Sequence, residues 1–306
     1  MNNIFILLGP TGSGKSNLSY LLADDFGFEI INADLFSIYK YLNIGTAKPT
    51  KEKFEAYKHF LFDKLNPDES YNVSTYCLDA LQSITNIIKR GKVPLIVGGS
   101  MMYVYQLLNG LTHQYNLLDS DLDLIKFIQK KYDNKSILKS IRNYNIELIN
   151  KIDINDSYRV EKLLERLISN KKSTEHKFNG LCNDKNFNIC TMFIDVNDRA
   201  TLKESIKKRT QGMIKKGLIK EVDELKRKFK LSDKNQSMKA IGYKETLQYL
   251  DKKISRDDLI SLIILSTQRL AKRQMTWKNK FNISYPITYS EYNYVKLSKY
   301  ISQTLK

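Results

Sequence analysis

Apolar residues fall along this chain in two rhythms. Short runs occur at Ile4–Leu8, within Phe28–Asp34, within Lys92–Ser100 and within Asn188–Val196. Runs so short and continuous predict strands buried on both faces. After the first run the rhythm becomes helical. Leu18, Leu21 and Leu22 share one side of Ser16–Phe26, and Gly27 ends the segment. Strands separated by helices predict an α/β fold, a parallel sheet with helices on both faces.

Between Gly110 and Lys185 no buried strand is predicted. The stretches DLDLIKFIQKKY and DSYRVEKLLERLISN are polar, charged and helix-like. Residues 113–185 are therefore expected to form a helical insertion, flanked by a core made of 1–112 and 186–306. From Arg199 onward the chain is again helical and rich in Lys and Arg, ending in the apolar-aromatic FNISYPITYS. The apolar patch Leu259–Leu265 is too short to cross a bilayer. Ile4–Leu8 has no basic stretch before it and no small-residue cleavage site, so it reads as a strand and not a signal peptide. A cytoplasmic monomer without a membrane partner is expected.

Charge sharpens the picture. The chain of 306 residues holds 50 Lys plus Arg against 33 Asp plus Glu, a net charge of +17. That excess favours a polyanionic partner, although a Lys-, Asn-, Ile- and Tyr-rich composition also arises from AT-rich coding. Cys77, Cys182 and Cys190 are odd in number and lack C-x-x-C spacing, which argues against a disulfide framework or a zinc site.

The first strand runs straight into GPTGSGKS, which fits G-x-x-x-x-G-K-[ST] at every fixed position. The backbone N–H groups of Gly9, Pro10's followers Thr11, Gly12, Ser13 and Gly14, and the start of the next helix converge on an anion in such a loop. Lys15 supplies positive charge and the Ser16 hydroxyl is placed to ligate Mg²⁺. The pattern is that of ATP-binding loops, so the fold expected is a P-loop NTPase-like parallel sheet with a helical insertion and a helical C-terminal region. An ATPase of this kind also needs a strand ending in an acid and a second group to aim water. VPLIV ends in Gly98-Gly99-Ser100 instead, and Asp34 is the one strand-terminal carboxylate nearby. Hydrolysis is not expected; diphosphate is expected to leave intact.

GPTGSGKS is followed in order by INADLFSIYKYLNIGTAKPT, HFLFDKLNPDESYNVSTYCLDAL, GKVPLIVGGSMMYVYQLLNGL, INKIDINDSYRVEKLLERL, SMKAIGYKETLQYL and STQRLAKRQMTW. In this order and spacing the chain resembles the bacterial tRNA dimethylallyltransferases from about Phe5 to Trp277. The loop alone is generic, whereas IGTAKP, VGGS-x-x-Y and AKRQ-x-TW together are specific. The resemblance implies transfer of the dimethylallyl group of dimethylallyl diphosphate to N6 of the adenosine beside the anticodon of tRNA, with Mg²⁺ as cofactor. A free-nucleotide isopentenyltransferase, a small-molecule P-loop kinase and a nucleic-acid-dependent ATPase are the rival classes.

An exocyclic amine is a poor nucleophile and needs an acceptor for its proton. Asp34 is the candidate for that role, by position and by resemblance; a helix cap or a metal ligand is the alternative. Ser100 can approach the bridging oxygen of the diphosphate or cap the next helix. The target base must be extruded from its stack, and Asp34, Leu35, Phe36 and Ser37 are expected to line its side of a channel. The family shows D-S-x-Q there, so Leu35 and Ser37 depart from it. Ser100 stands for the usual Thr. Ser205 occupies the place of an Arg that grips diphosphate, leaving Arg209 or a neighbouring Lys to do so.

For tRNA, Arg269, Lys272 and Arg273 fall at i, i+3 and i+4 and share a helical face, with Trp277 and Lys280 beyond. Such a basic stripe suits an RNA backbone, or is a solvated helix face. By resemblance, Arg159 and Lys162 (an Arg in the family) in the insertion and Gly242, Tyr243 and Lys244 also touch tRNA. Gly242 is expected to permit close approach. His59 keeps one of two usual histidines, Phe60 replacing the other, and no catalytic role falls to any His.

Overall fold

The computed structural model describes residues 1–111, 118–144, 149, 152–169, 178–288 and 294–306. Asn150, Lys151, Asn170, Tyr289 and Ser290, which belong to motifs or segments named above, lie outside the described residues, as do parts of the 113–185 insertion. The chain forms two compact units, one of Met1–Asn109 with Gly180–Lys306, the other of Gly110–Asn179.

The first unit is built on one sheet of β1 (Asn2–Leu8), β2 (Glu29–Asn32), β3 (His59–Phe60), β4 (Pro94–Gly98), β5 (Phe187–Asp195) and β6 (Tyr285–Thr288). Their order is β3-β2-β4-β1-β5-β6, and every pairing is parallel. β4 and β1 are the two central strands of the sheet. Ile4 to Leu8 are all fully buried, so residues of both parities are covered, which is why the run is unbroken. On one face, Phe5, Leu7, Leu95, Val97 and Met192 pack with Leu18 and Leu22 of α1 (Lys15–Phe26) and Leu297 and Ile301 of α12 (Tyr294–Thr304). Gly27 ends α1 in the left-handed conformation, its N–H donating to the Ala23 carbonyl at 2.9 Å.

The remaining elements of this unit are α2 (Lys51–Ala56), α3 (Val73–Lys89), α4 (Met101–Asn109), α8 (Arg199–Lys215), α9 (Leu218–Phe229), α10 (Tyr243–Leu250) and α11 (Arg256–Trp277). α3 packs on β2 and β4, and α11 on α8 through Leu202, Ile206 and Ala271. Ser255 begins α11 by accepting the Asp258 N–H at 3.1 Å, while the Asp258 carboxylate accepts the Ser255 N–H.

The second unit holds α5 (Asp119–Lys131), α6 (Asn134–Tyr144) and α7 (Ser157–Ile168) around Ile125, Ile137, Leu138, Val160, Leu163 and Leu164. Asp156 caps α7 by accepting the Arg159 N–H at 3.0 Å.

Three elements are not announced by the apolar pattern: β3, β6 and α2, the last a six-residue helix with no buried residue. β3 has two residues and β6 is an edge strand containing Pro286, so neither carries a long buried run. One expectation is also corrected. Asp34 is not the sole carboxylate at the strand ends, because β5 closes on Asp195. Asp195 is ion-paired with Lys278 and lines neither pocket described below. No helix among the described residues is long and apolar enough to cross a membrane.

Candidate active site

In an all-parallel sheet every strand delivers its C-terminal end to one edge, and loops leaving that edge form the natural site. Here three loops converge: Gly9–Ser16 after β1, Ala33–Ser37 after β2, and Gly99–Ser100 after β4. β1 and β4 stay in register to Leu8 opposite Gly98 and then part.

Lys15 heads α1, and its ammonium donates to the carbonyls of Gly9 and Pro10, each at 2.9 Å. Burial lowers its pKa to about 8, opposed by the nearby Asp34 carboxylate and reinforced by the Arg209 guanidinium. Ser16, one residue on, is exposed. The Ser13 hydroxyl is buried with no partner among the described residues.

Asp34 is fixed by the end of its own strand. Asn32 accepts the Asp34 N–H at 2.9 Å and donates to the Asp34 carbonyl at 3.0 Å and the Leu61 carbonyl at 2.9 Å. That turn presents an exposed carboxylate, which accepts the Gly99 N–H. Ser100 accepts the Leu35 N–H on its hydroxyl at 2.9 Å. The paired glycines have separate steric causes. A Cβ on Gly98 would stand 2.2 Å from the Ala33 backbone; one on Gly99 would stand 2.3 Å from Gln274 Nε2 and 3.1 Å from Asp34 Oδ1.

Two pockets open from this edge. One, of about 360 Å³, is lined by Gly12, Ser13, Gly14, Ser16 and other largely polar residues. The other, of about 440 Å³, has walls of Leu35, Phe36, Met101, Met213, Leu270 and Trp277. They share Thr11, Lys15, Asp34, Ser37, Thr46 and Arg209, and the shared boundary is polar and charged. Gly9 and Pro10 lie buried beneath the loop.

Arg209 on α8 reaches this boundary, where burial lowers its pKa against the pull of Asp34. Ser205, one turn earlier, donates to the Gly12 carbonyl at 3.2 Å. Lys207 and Lys208 are exposed and line neither pocket. On α11, Arg269, Lys272 and Arg273 are all exposed, and Arg273 and Trp277 also line the apolar pocket. Lys280 sits 4.2 Å over the Trp277 ring, a cation–π contact.

Two residues expected to touch tRNA lie inside the fold. Tyr243 is fully buried, donating to Glu221 and accepting the Gly45 N–H at 3.2 Å, so its side chain is unreachable to a macromolecule. Gly242 is buried too. A Cβ there would meet only Leu218, at 3.5 Å, so its φ of +93°, and not close approach, calls for glycine. Lys244 beside them is exposed. Arg159 pairs with Asp156 at 3.1 Å and Lys162 with Glu165 at 2.6 Å, on the exposed side of α7 in the second unit.

Sequence reasoning assigned nothing to Thr46, Lys239 or Gln274. Thr46 lies between the pockets because Glu221 accepts the N–H groups of Asn43 and Ile44 and so anchors its loop. Lys239 lines the apolar pocket from an exposed position. Gln274 is buried. Its Oε1 accepts the Thr11 N–H at 2.8 Å and its Nε2 donates to the Gly99 carbonyl at 2.9 Å. It stands in the AKRQMTW motif, but a glutamine between two basic residues and a methionine has no local signature of burial.

A P-loop α/β protein whose polar loop pocket opens into an apolar chamber is the class these features define. Residues 37–281 match the IPP transferase family, and the chain belongs to that family. It is 34% identical over 295 residues to a protein of Acetivibrio thermocellus named tRNA dimethylallyltransferase, covering 96% of this chain and 94% of the relative. A protein of the same name from Finegoldia magna is 37% identical over 283 residues, 89% and 86% of the two chains. Among solved structures, the tRNA delta(2)-isopentenylpyrophosphate transferase of Staphylococcus epidermidis superposes with a TM-score of 0.70 at 29% identity, over all of this chain and 99% of that one.

Proposed function

We propose that this chain transfers the dimethylallyl group from dimethylallyl diphosphate to N6 of adenosine 37 of tRNA, the base 3′ to the anticodon, and releases diphosphate. The observation that carries this reading is the meeting of a polar and an apolar pocket at Asp34, Lys15 and Arg209. The polar side suits two phosphates; the apolar side suits a five-carbon chain and a purine ring. The names of relatives similar over nearly the full chain support the same reaction.

In this reading the N–H groups of Gly12, Gly14, Lys15 and Ser16 cradle the diphosphate, those of Thr11 and Ser13 being taken by Gln274 and Pro10, and Lys15 and Arg209 neutralise the charge that grows as the C–O bond breaks. The adenine amine attacks the allylic carbon, and Asp34 takes the proton that the new N–C bond releases. Ser100 orients the diphosphate. Leu35, Phe36 and Ser37 form the floor on which the extruded base rests.

Mg²⁺ fits the donor set in a limited way. No cluster of three His, Cys, Asp or Glu occurs among the described residues. Ser16 is the exposed hydroxyl in the polar pocket, and diphosphate oxygens and water would complete the shell, as is usual for this ion. When bound, Mg²⁺ supplies further neutralisation of the leaving diphosphate.

The exposed face of Arg269, Lys272 and Arg273 supports tRNA over a free nucleotide, with Lys244 adding to it. Arg159 and Lys162 in the second unit contact the same RNA. The test is incubation with dimethylallyl diphosphate, Mg²⁺ and either tRNA or AMP, followed by nucleoside analysis. Dimethylallyl adenosine at position 37 of tRNA and none on AMP is the expected result. Modified AMP, or ATP turned into ADP with the RNA unchanged, refutes the reading.

A further inference from the structure

Beyond Leu8 and Gly98 the strand ladder no longer holds the phosphate loop to the Asp34 side of the site. Gln274 takes over at that point. Its side-chain amide accepts from the Thr11 N–H and donates to the Gly99 carbonyl, linking segments that are 263 and 175 residues away from it in sequence. Gly99 in turn donates its N–H to the Asp34 carboxylate.

We propose that Gln274 is a positioning residue, a rung that fixes the gap between the loop holding the leaving group and the carboxylate that accepts the proton. The inference rests on the transfer reading above. Three features support it. Gln274 is 5% exposed, so both of its hydrogen bonds are made out of water, where an unmade partner is costly. Gly99 is pressed between Gln274 and Asp34, leaving no room even for a methyl group. Thr11 and Asp34, the two groups joined through the rung, both belong to the boundary shared by the pockets. Gln274 borders the apolar pocket, but its amide is engaged by Thr11 and Gly99 rather than by a reacting atom. It acts through Thr11 and Gly99.

Gln274→Met keeps the length of the side chain and removes donor and acceptor together. Its kcat for tRNA modification is expected to fall about tenfold to hundredfold, the loss that follows a misplacement of about 1 Å. The KM for tRNA should stay unchanged, because Arg269, Lys272 and Arg273 remain in place. Gly99→Ala displaces the same rung from the other side and should lower kcat similarly. The double variant should be no worse than the poorer single one, since both break one link.

A purely structural role predicts a lower melting temperature with unchanged kcat per folded molecule, and that result overturns the proposal. Additive losses in the double variant overturn it as well. If Gln274→Met does not fold, Gln274→Glu, which retains the acceptor for Thr11 and loses the donor to Gly99, is measured against the same kcat and KM criteria. A wild-type chain that leaves tRNA unmodified refutes the transfer reading instead. Wild-type transfer with a normal Gln274→Met kcat refutes the rung alone.

Discussion

The two pockets that meet at Asp34 are assembled in opposite ways. The polar one takes Thr11 to Ser16, an unbroken stretch of backbone, for its main wall. The apolar one draws on residues as far apart as Leu35, Met101, Met213, Ile241 and Trp277. Anion binding needs N–H groups and a helix end, which a single turn provides. An apolar chamber needs side chains from several directions, which only packing provides. A contiguous site tolerates change elsewhere in the fold, whereas a composite one depends on every element that lends it a wall. The boundary residues answer to both.

The largest break in this comparison is expected at the boundary. Asp34→Asn should lower the transfer rate about a hundredfold to ten-thousandfold, the range for loss of a general base, while binding of inorganic diphosphate stays near normal. A near-normal rate in single-turnover assays would remove Asp34 as proton acceptor. Lys15→Met acts on the polar side. Loss of its charged hydrogen bonds should weaken diphosphate binding about tenfold to hundredfold, read by calorimetry.

Changes on α11 test the composite side. Replacing Arg269, Lys272 and Arg273 together by Gln should make the salt dependence of tRNA binding shallower by a log–log slope of about two to three, with diphosphate affinity unchanged. An unaltered slope would reduce this face to a solvated helix surface.

The smallest effect is a pH dependence. Lys15 loses its proton in the folded chain at about pH 8 and in the unfolded chain near the ordinary lysine value of 10.5. Between these values the unfolded chain holds the extra proton, so the penalty for burying this charge, present below pH 8, is relieved as pH rises toward 10.5. The same deprotonation removes a cation from the anion site. Diphosphate affinity should fall about tenfold between pH 7 and 9, and Lys15→Met should abolish that dependence. A flat profile in the wild type would contradict the lowered pKa.

The sheet was legible where its strands are central. Ile4–Leu8 and Pro94–Gly98 are buried on both sides, so burial itself writes them as apolar runs. The edge strands β3 and β6 were not legible, being short or proline-bearing with half-buried residues. The same contrast holds in the site. GPTGSGKS announces a P-loop turn because neighbouring backbone groups form it. Tyr243 stands in an equally conspicuous motif, yet it is an interior brace for the Thr46 loop, and a tyrosine's letter does not say which way its hydroxyl points.

By itself, the sequence determined the phosphate loop, the central strands, the basic face of α11 and the placement of a carboxylate just after β2. These depend on interactions within a few residues, or on a repeat that a strand or helix imposes. Tertiary structure decided which distant groups share one boundary: Arg209 with Asp34, Thr46 between two pockets, and Gln274 between two loops. Those contacts join segments separated by far more than a turn, and their partners are chosen by packing, for which no local pattern exists.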